Sequence, residues 1–318
     1  MAAAAESIPS SSVVSAQRGA GLGRAYFALQ TALGAVWWWA VFASDAVREA
    51  TLGGLDPVLV AVLDIPLFVA ASALAAAGAR WACWIVVPWT LIVTALLGVY
   101  ATLTGLAGWG VLCMGAASVG GVAAWLLIAY GRIPAERLLV GPLAFRASAP
   151  GSPRRQFVRT ILQMLAFWAV FLAVIPIIIV FFERRWGLAA PLDPAPALWI
   201  GVAGWVLLAA MSAMGLWAAI AMSTRGDGTP LPSAHARRLV VAGPYRFVRN
   251  PMALSGVAQA VGVGLILGSW LVVLYALVGA FYWDRLVRPA EEADLEARFD
   301  SEYAEYRRRI RCWVPRLS

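Results

Sequence analysis

Apolar residues in this chain come in long unbroken blocks, not in the short alternations of a soluble core. A membrane-spanning helix needs about 20 consecutive, mostly apolar residues. Blocks of that kind run over 25–44, 57–78, 81–102, 106–130, 161–182 and 198–222. Two shorter blocks, 252–268 and 270–283, follow with almost nothing polar between them and predict a tight hairpin. The charged stretch from Arg288 to Arg309 then reads as an amphipathic helix. The pattern predicts an all-α polytopic membrane protein with about eight transmembrane helices and a C-terminal cytoplasmic amphipathic helix.

The polar intervals give the orientation. Arginine gathers on the cytoplasmic side of short loops. Basic excess alternates along the chain with neutral or acidic intervals, the strongest basic stretches being 132–159 and 225–249. Eight spans with both termini inside satisfy this alternation. The division that follows is a cytoplasmic tail over 1–24 and a four-helix membrane region over 25–130. A basic cytoplasmic loop over 131–159 and a C-terminal membrane domain over 160–318 complete it.

Composition agrees. Apolar residues make up 62% and charged residues 13% of 318, about half the charged share of a soluble globule. The net charge of +8 is carried by arginines interspersed between apolar blocks, with no lysine. Nucleic-acid binding would need those arginines spread over a polar surface, so no nucleic-acid partner is expected. Cys83, Cys113 and Cys312 have no metal-ligand spacing, and no metal site is expected. Asp64 falls inside the second block. There it reads either as a relay carboxylate or as a hydrogen-bonded structural one. Pro66 and Pro176 are expected to kink their helices. Gly256, Ala260, Gly264 and Gly268 recur every four residues and predict one small-residue face for a close neighbour.

Candidate chemistry gathers after Thr224. Gly243-Pro244 is a turn, Pro251 suits the first turn of the seventh helix and Asn250 suits its N-cap. Arg246 and Arg249 flank that helix N-terminus, where free N–H groups favour an anion. They read either as a clamp for a carboxylate or as a cap touching lipid phosphates. Further on, Arg288 and Glu292 are spaced to pair, and Tyr303 and Tyr306 share a helix face.

Two segments together resemble the isoprenylcysteine carboxyl methyltransferases and their relatives, the phospholipid methyltransferases. The first comprises Gly243, Tyr245, Arg249, Asn250 and Pro251, in the manner of a Gly-x-Tyr-x-x-x-Arg-His-Pro element before a helical hairpin. The second comprises Glu291, Glu292, Leu295, Phe299, Tyr303 and Tyr306. The Gly228 to Pro232 stretch also looks like bacterial members, which implies a bacterial inner membrane. The resemblance covers about residues 224–316. Asn250 stands where the best-known members carry histidine, and Asp300 stands where glycine is usual.

What the resemblance implies is methyl transfer from S-adenosyl-L-methionine to a lipophilic acceptor, such as an isoprenylated carboxylate, at the cytoplasmic face. His235, Gly243, Pro244, Tyr245, Asn250, Pro251, Glu291 and Glu292 would hold the cofactor. Arg246, Arg249 and Glu292 would act in catalysis. The partner would be a membrane lipid or isoprenoid substrate. Phospholipid N-methylation, a nicotinamide-dependent sterol-type reductase and a non-enzymatic transporter or accessory protein stay open as other readings.

Overall fold

A computed structural model describes residues 11–134, 153–190, 193–226 and 238–314. Every regular element among them is helical. Seven helices are long and apolar enough to cross a membrane, and Pro251–Leu267 is a shorter apolar helix beside them. The chain is an integral membrane protein of several spans. The expected eight blocks thus appear as seven candidate spans and one 17-residue helix.

The chain divides into two compact units. The first comprises Met1–Pro134 with Arg184–Leu188. It contains α1 (Ser11–Ala43), α2 (Asp45–Leu52), α3 (Pro57–Asp64), α4 (Ala71–Ala77), α5 (Cys83–Thr104) and α6 (Gly108–Tyr130). Helix α1 starts at Ser11, not after Arg24 as the tail boundary implied. The stretch from Ser11 to Arg24 has no proline, and Gly19, Gly21 and Gly23 lower its helix propensity without interrupting α1. A π turn over Ile65–Ala70 joins α3 to α4, with Pro66 in its first turn. Proline has no N–H to give the helical ladder, and the wider turn accommodates the gap.

This unit buries Phe27, Val86, Ala82 and Ala101 between α1, α4, α5 and α6. Large apolar side chains such as Leu103 and Val119 point outward. That outward apolarity suits lipid, whereas polar groups inside must find partners within the protein. Arg24 donates to the carbonyls of Ala76 and Ala77 at 2.9 and 3.0 Å, closing the end of α4. Arg185 donates to Leu103 O at 2.6 Å at the end of α5. A cation at a helix C-terminus satisfies free carbonyls and opposes the helix dipole.

Asp64 is buried and both its oxygens are taken. The indole of Trp38 donates to Oδ2 at 2.9 Å, and that of Trp89 to Oδ1 at 2.7 Å. Of the two readings, the geometry matches the hydrogen-bonded structural one.

The second unit comprises Ala135–Glu183 with Ala189–Ser318. Helix α7 (Pro153–Trp168) opens on proline. Arg154, Arg155 and Arg159 therefore belong to a helix and not to the end of the expected 131–159 loop. A π turn over Ala169–Val174 leads into α8 (Ile175–Arg185), whose last two residues group with the first unit. Next come α9 (Pro194–Arg225), α10 (Pro251–Leu267) and α11 (Trp270–Tyr282). A further π turn, Trp283–Val287, continues into α12 (Arg288–Arg309). Apolar character ends at that turn, and α12 is dense in charge.

Helices α9 and α10 approach closely. A Cβ on Gly204 would meet Gly262 O at 2.8 Å, and one on Gly262 would meet Gly204 O at 2.9 Å. The close contact thus runs through Gly204 and Gly262, not through the expected stripe. That stripe divides its work: Gly264 faces Val273 of α11, and Gly268, at φ +60°, ends α10. Ser269 begins α11 as its N-cap and donates to the buried carboxylate of Glu183. The expected hairpin is formed.

Replacing Trp89 by Phe leaves one oxygen of Asp64 without a donor in a dry interior. The expected cost is about 1–3 kcal/mol, read as a lower melting temperature of the detergent-solubilised protein. Unchanged melting would contradict the structural role of that hydrogen bond.

Candidate functional site

The short apolar helix α10 ends its hydrogen bonding at Asn250. Asn250 Oδ1 accepts from Ala253 N at 3.0 Å, satisfying one free N–H of the first turn. Pro251 follows at the first helical position, where its missing N–H costs nothing. The other end of the same amide reaches α12, where Nδ2 donates to Glu291 Oε2 at 3.2 Å. One side chain therefore caps the membrane helix and holds a carboxylate 41 residues away.

Upstream, Gly243–Arg246 forms a single 3-10 turn. Gly243 sits at φ +60°, and a Cβ there would meet Trp217 Nε1 at 3.1 Å and Ala221 Cβ at 3.2 Å. Both the backbone angle and the space call for glycine. The turn buries Pro244 and Tyr245. It is pinned from α12, because Tyr306 Oη donates to Tyr245 O at 2.7 Å.

These elements enclose a cavity of about 450 Å³ within the second unit. Its walls have two characters. Met164, Phe167, Phe171, Met252 and Gly256 line an apolar part between α7, the π turn after it and α10. Phe167 and Phe171 are stacked with centroids 4.5 Å apart. Tyr245, Arg249, Asn250, Glu291, Glu292 and Tyr303 line a polar part at the start of α10 and on α12.

The polar part carries charges of both signs. Arg238, Arg249, Arg288 and Arg298 face it against Glu291 and Glu292. Arg249 Nη1 lies 3.2 Å from Glu292 Oε1, without the alignment of a hydrogen bond. Its buried Nε also lacks a hydrogen-bond partner among the described residues. Arg249 thus keeps donors to spend. Arg288 was expected to pair with Glu292 but lies 3.4 Å from Asp284 instead. Glu292 takes Arg249 as its partner, from a different element.

Glu291 still presents some surface to the cavity but is surrounded by protein. Burial first, and then the charges of Glu292 and Asp294, push its carboxyl up to about 7; Arg298 and the Asn250 amide oppose the rise. Burial also pushes the Tyr303 hydroxyl up to about 12 and raises Tyr245 and Tyr306 above their ordinary value. These phenols are neutral donors at physiological pH.

Of the expected site residues, Tyr245, Arg249, Asn250, Glu291 and Glu292 meet at this cavity. Gly243, Pro244 and Pro251 shape the backbone behind it. Arg246 is exposed and does not line it, because the 3-10 turn directs Tyr245 inward and its successor outward. His235 lies outside the described residues. The contributions of α7, of Gln259 and of Cys312 were not expected. Only the four-residue spacing of Phe167 and Phe171 hinted at one shared face.

Comparison with known proteins places this geometry. Residues 195–301 match the phospholipid methyltransferase family. Over that stretch the chain is similar to this family of membrane methyltransferases. A relative is the cobalt-zinc-cadmium resistance protein CzcN of Cupriavidus metallidurans, 33% identical over 104 residues. The match covers 32% of this chain and 43% of that protein, so the chain spans less than half the length of the relative it matches. No solved structure matches.

Glu291 also makes stability depend on pH. Its folded-state value lies above the ordinary 4.5, so the folded form holds the proton more tightly than the unfolded one. Its favourable contribution is full below about 4.5 and disappears as pH rises through about 7. The melting temperature is expected to fall between pH 5 and pH 8, and Glu291→Gln to flatten that fall. A pH profile identical in the variant would contradict the shift.

Proposed function

We propose that the cavity holds S-adenosyl-L-methionine at its polar end and directs methyl transfer to a lipophilic acceptor such as an isoprenylated carboxylate. The observation that carries this reading is one cavity that joins an arginine with unaccepted N–H donors to a wall of apolar side chains. When bound, S-adenosylmethionine supplies a methyl group already activated by its sulfonium. The chain then has to orient two partners and exclude water.

The residues present fit that task. Arg249 offers N–H donors to a carboxylate, with Glu292 holding its other side. Glu291, with one oxygen held by Asn250, keeps the other for a hydroxyl or amino donor. The turn at Gly243–Arg246 supplies a wall of close backbone and the ring of Tyr245. Among these groups Asn250 orients and does not act as a base, since an amide does not titrate near neutral pH. The apolar walls from α7 and α10 suit a hydrocarbon chain entering from lipid.

The Arg249 N–H donors that no described residue accepts favour an anionic acceptor group. The family match supports a second acceptor, a phospholipid amine. The basic stretches at 132–159 and 225–249 support a cytoplasmic position for this end, with both termini inside and a bacterial inner membrane as the location. In this reading 160–318 is the methyltransferase domain, joined to the four-helix region 25–130 by the basic loop.

Calorimetry on the purified protein in detergent is expected to show S-adenosylmethionine binding that NADPH does not compete away. Arg249→Ala and Glu292→Ala should each weaken it about tenfold or more, equal to about 1.4 kcal/mol, while Arg246→Ala should change it little. Absence of binding to the wild-type protein would overturn the assignment.

A further inference from the structure

Asp300 interrupts α12 with φ 38° and ψ −115°, a conformation outside the helical region. Residues with a Cβ rarely take such an angle, and holding one there is costly. The backbone therefore bends sharply at Asp300. Beyond the bend, 301–314 is largely exposed. Its buried side chains are Tyr303, Tyr306 and Cys312, and all three line the cavity.

A handful of polar contacts tie this segment down, one of them between Cys312 and Arg288. Tyr306 Oη donates to Tyr245 O at 2.7 Å, and the Arg249 N–H donates to Arg311 O at 3.0 Å. Trp313 Nε1 donates to Asp284 Oδ1 at 2.7 Å, with its ring edge-on to Trp283. Arg307 pairs with Glu296 across the bend. A segment with one buried face and a handful of polar tethers opens at lower cost than the helices it covers.

We propose that 301–314 is a hinged lid over the polar end of the cavity, with Asp300 as the hinge. A water-soluble cofactor has to reach a site walled by α10 and α12, and this segment is the part of the wall that can swing away. The angle at Asp300 belongs to the closed state. Aspartate there biases the lid toward opening, and glycine would hold it shut. The lid's role in cofactor entry rests on the reading of the cavity as a cofactor site, whereas the hinge does not.

Cys312 is a built-in reporter, since its thiol is buried when the lid is closed. In a Cys83→Ala, Cys113→Ser background, maleimide labelling of Cys312 reads the open fraction. Trp313→Phe removes one tether and is expected to speed labelling about 3- to 10-fold. Asp300→Gly is expected to slow it roughly tenfold. Glu305→Gln, which removes a pair lying wholly within the segment, should leave the rate unchanged. A cysteine placed at buried Ala276 of α11, in the same background with Cys312 also replaced by Ser, should stay unlabelled over the same period.

Equal labelling at 312 and 276 would assign the exposure to unfolding of the whole unit and overturn the lid. So would rates at Cys312 that neither Trp313→Phe nor Asp300→Gly alters. Saturating S-adenosylmethionine is expected to slow labelling at Cys312. If it does not, while the variants behave as stated, the cofactor reading fails and the hinge stands.

Discussion

Asn250 joins the two chemical regimes of this chain. Its oxygen ends α10, a helix whose remaining backbone groups bond to one another as lipid requires. Its amide nitrogen holds Glu291, the first acidic residue of the charged helix α12. Were the cap absent, the first turn of α10 would carry free N–H groups at the cavity wall. Were the amide absent, the Glu291 carboxyl would lose its one fixed donor. The polar end of the cavity depends on this single bifunctional side chain, and histidine is not needed for it.

The same constraint shapes the first unit. Without water in the hydrocarbon, every buried polar group needs a partner in the protein. Asp64 takes two indoles, and Arg24 and Arg185 each close a helix end. In the second unit Glu183 takes the hydroxyl that caps α11. These arrangements explain why charged residues occur among apolar blocks without implying transport. Arg249, at the charged cavity, keeps buried N–H donors that no described residue accepts.

The spans and the hairpin were legible because hydropathy and length report on lipid directly. Helix starts were not. Ser11–Arg24 and Pro153–Arg159 are polar enough to read as tail and loop, yet neither has a proline beyond its first residue and both are helical. The π turns were invisible, since a proline or an apolar run does not declare a change of pitch. Among site residues, Asn250 as N-cap and Tyr245, Arg249, Glu291 and Glu292 as neighbours followed from motif spacing. The pairing of Arg249 with Glu292 did not, because it is made between elements, and local i,i+4 logic assigned Glu292 to Arg288 instead. The exposure of Arg246 and the walls from α7 depend on packing that no local spacing encodes.

Methyl transfer to a lipophilic acceptor at the cavity around Arg249 can be read directly from labelled membranes. Membranes containing the protein can be incubated with methyl-labelled S-adenosylmethionine and the lipid extract treated with mild alkali. Label is expected in the lipid fraction, released by alkali as for a methyl ester and lost in Arg249→Ala. No protein-dependent lipid label would contradict methyl transfer itself, and alkali-stable label on nitrogen would contradict the carboxylate acceptor.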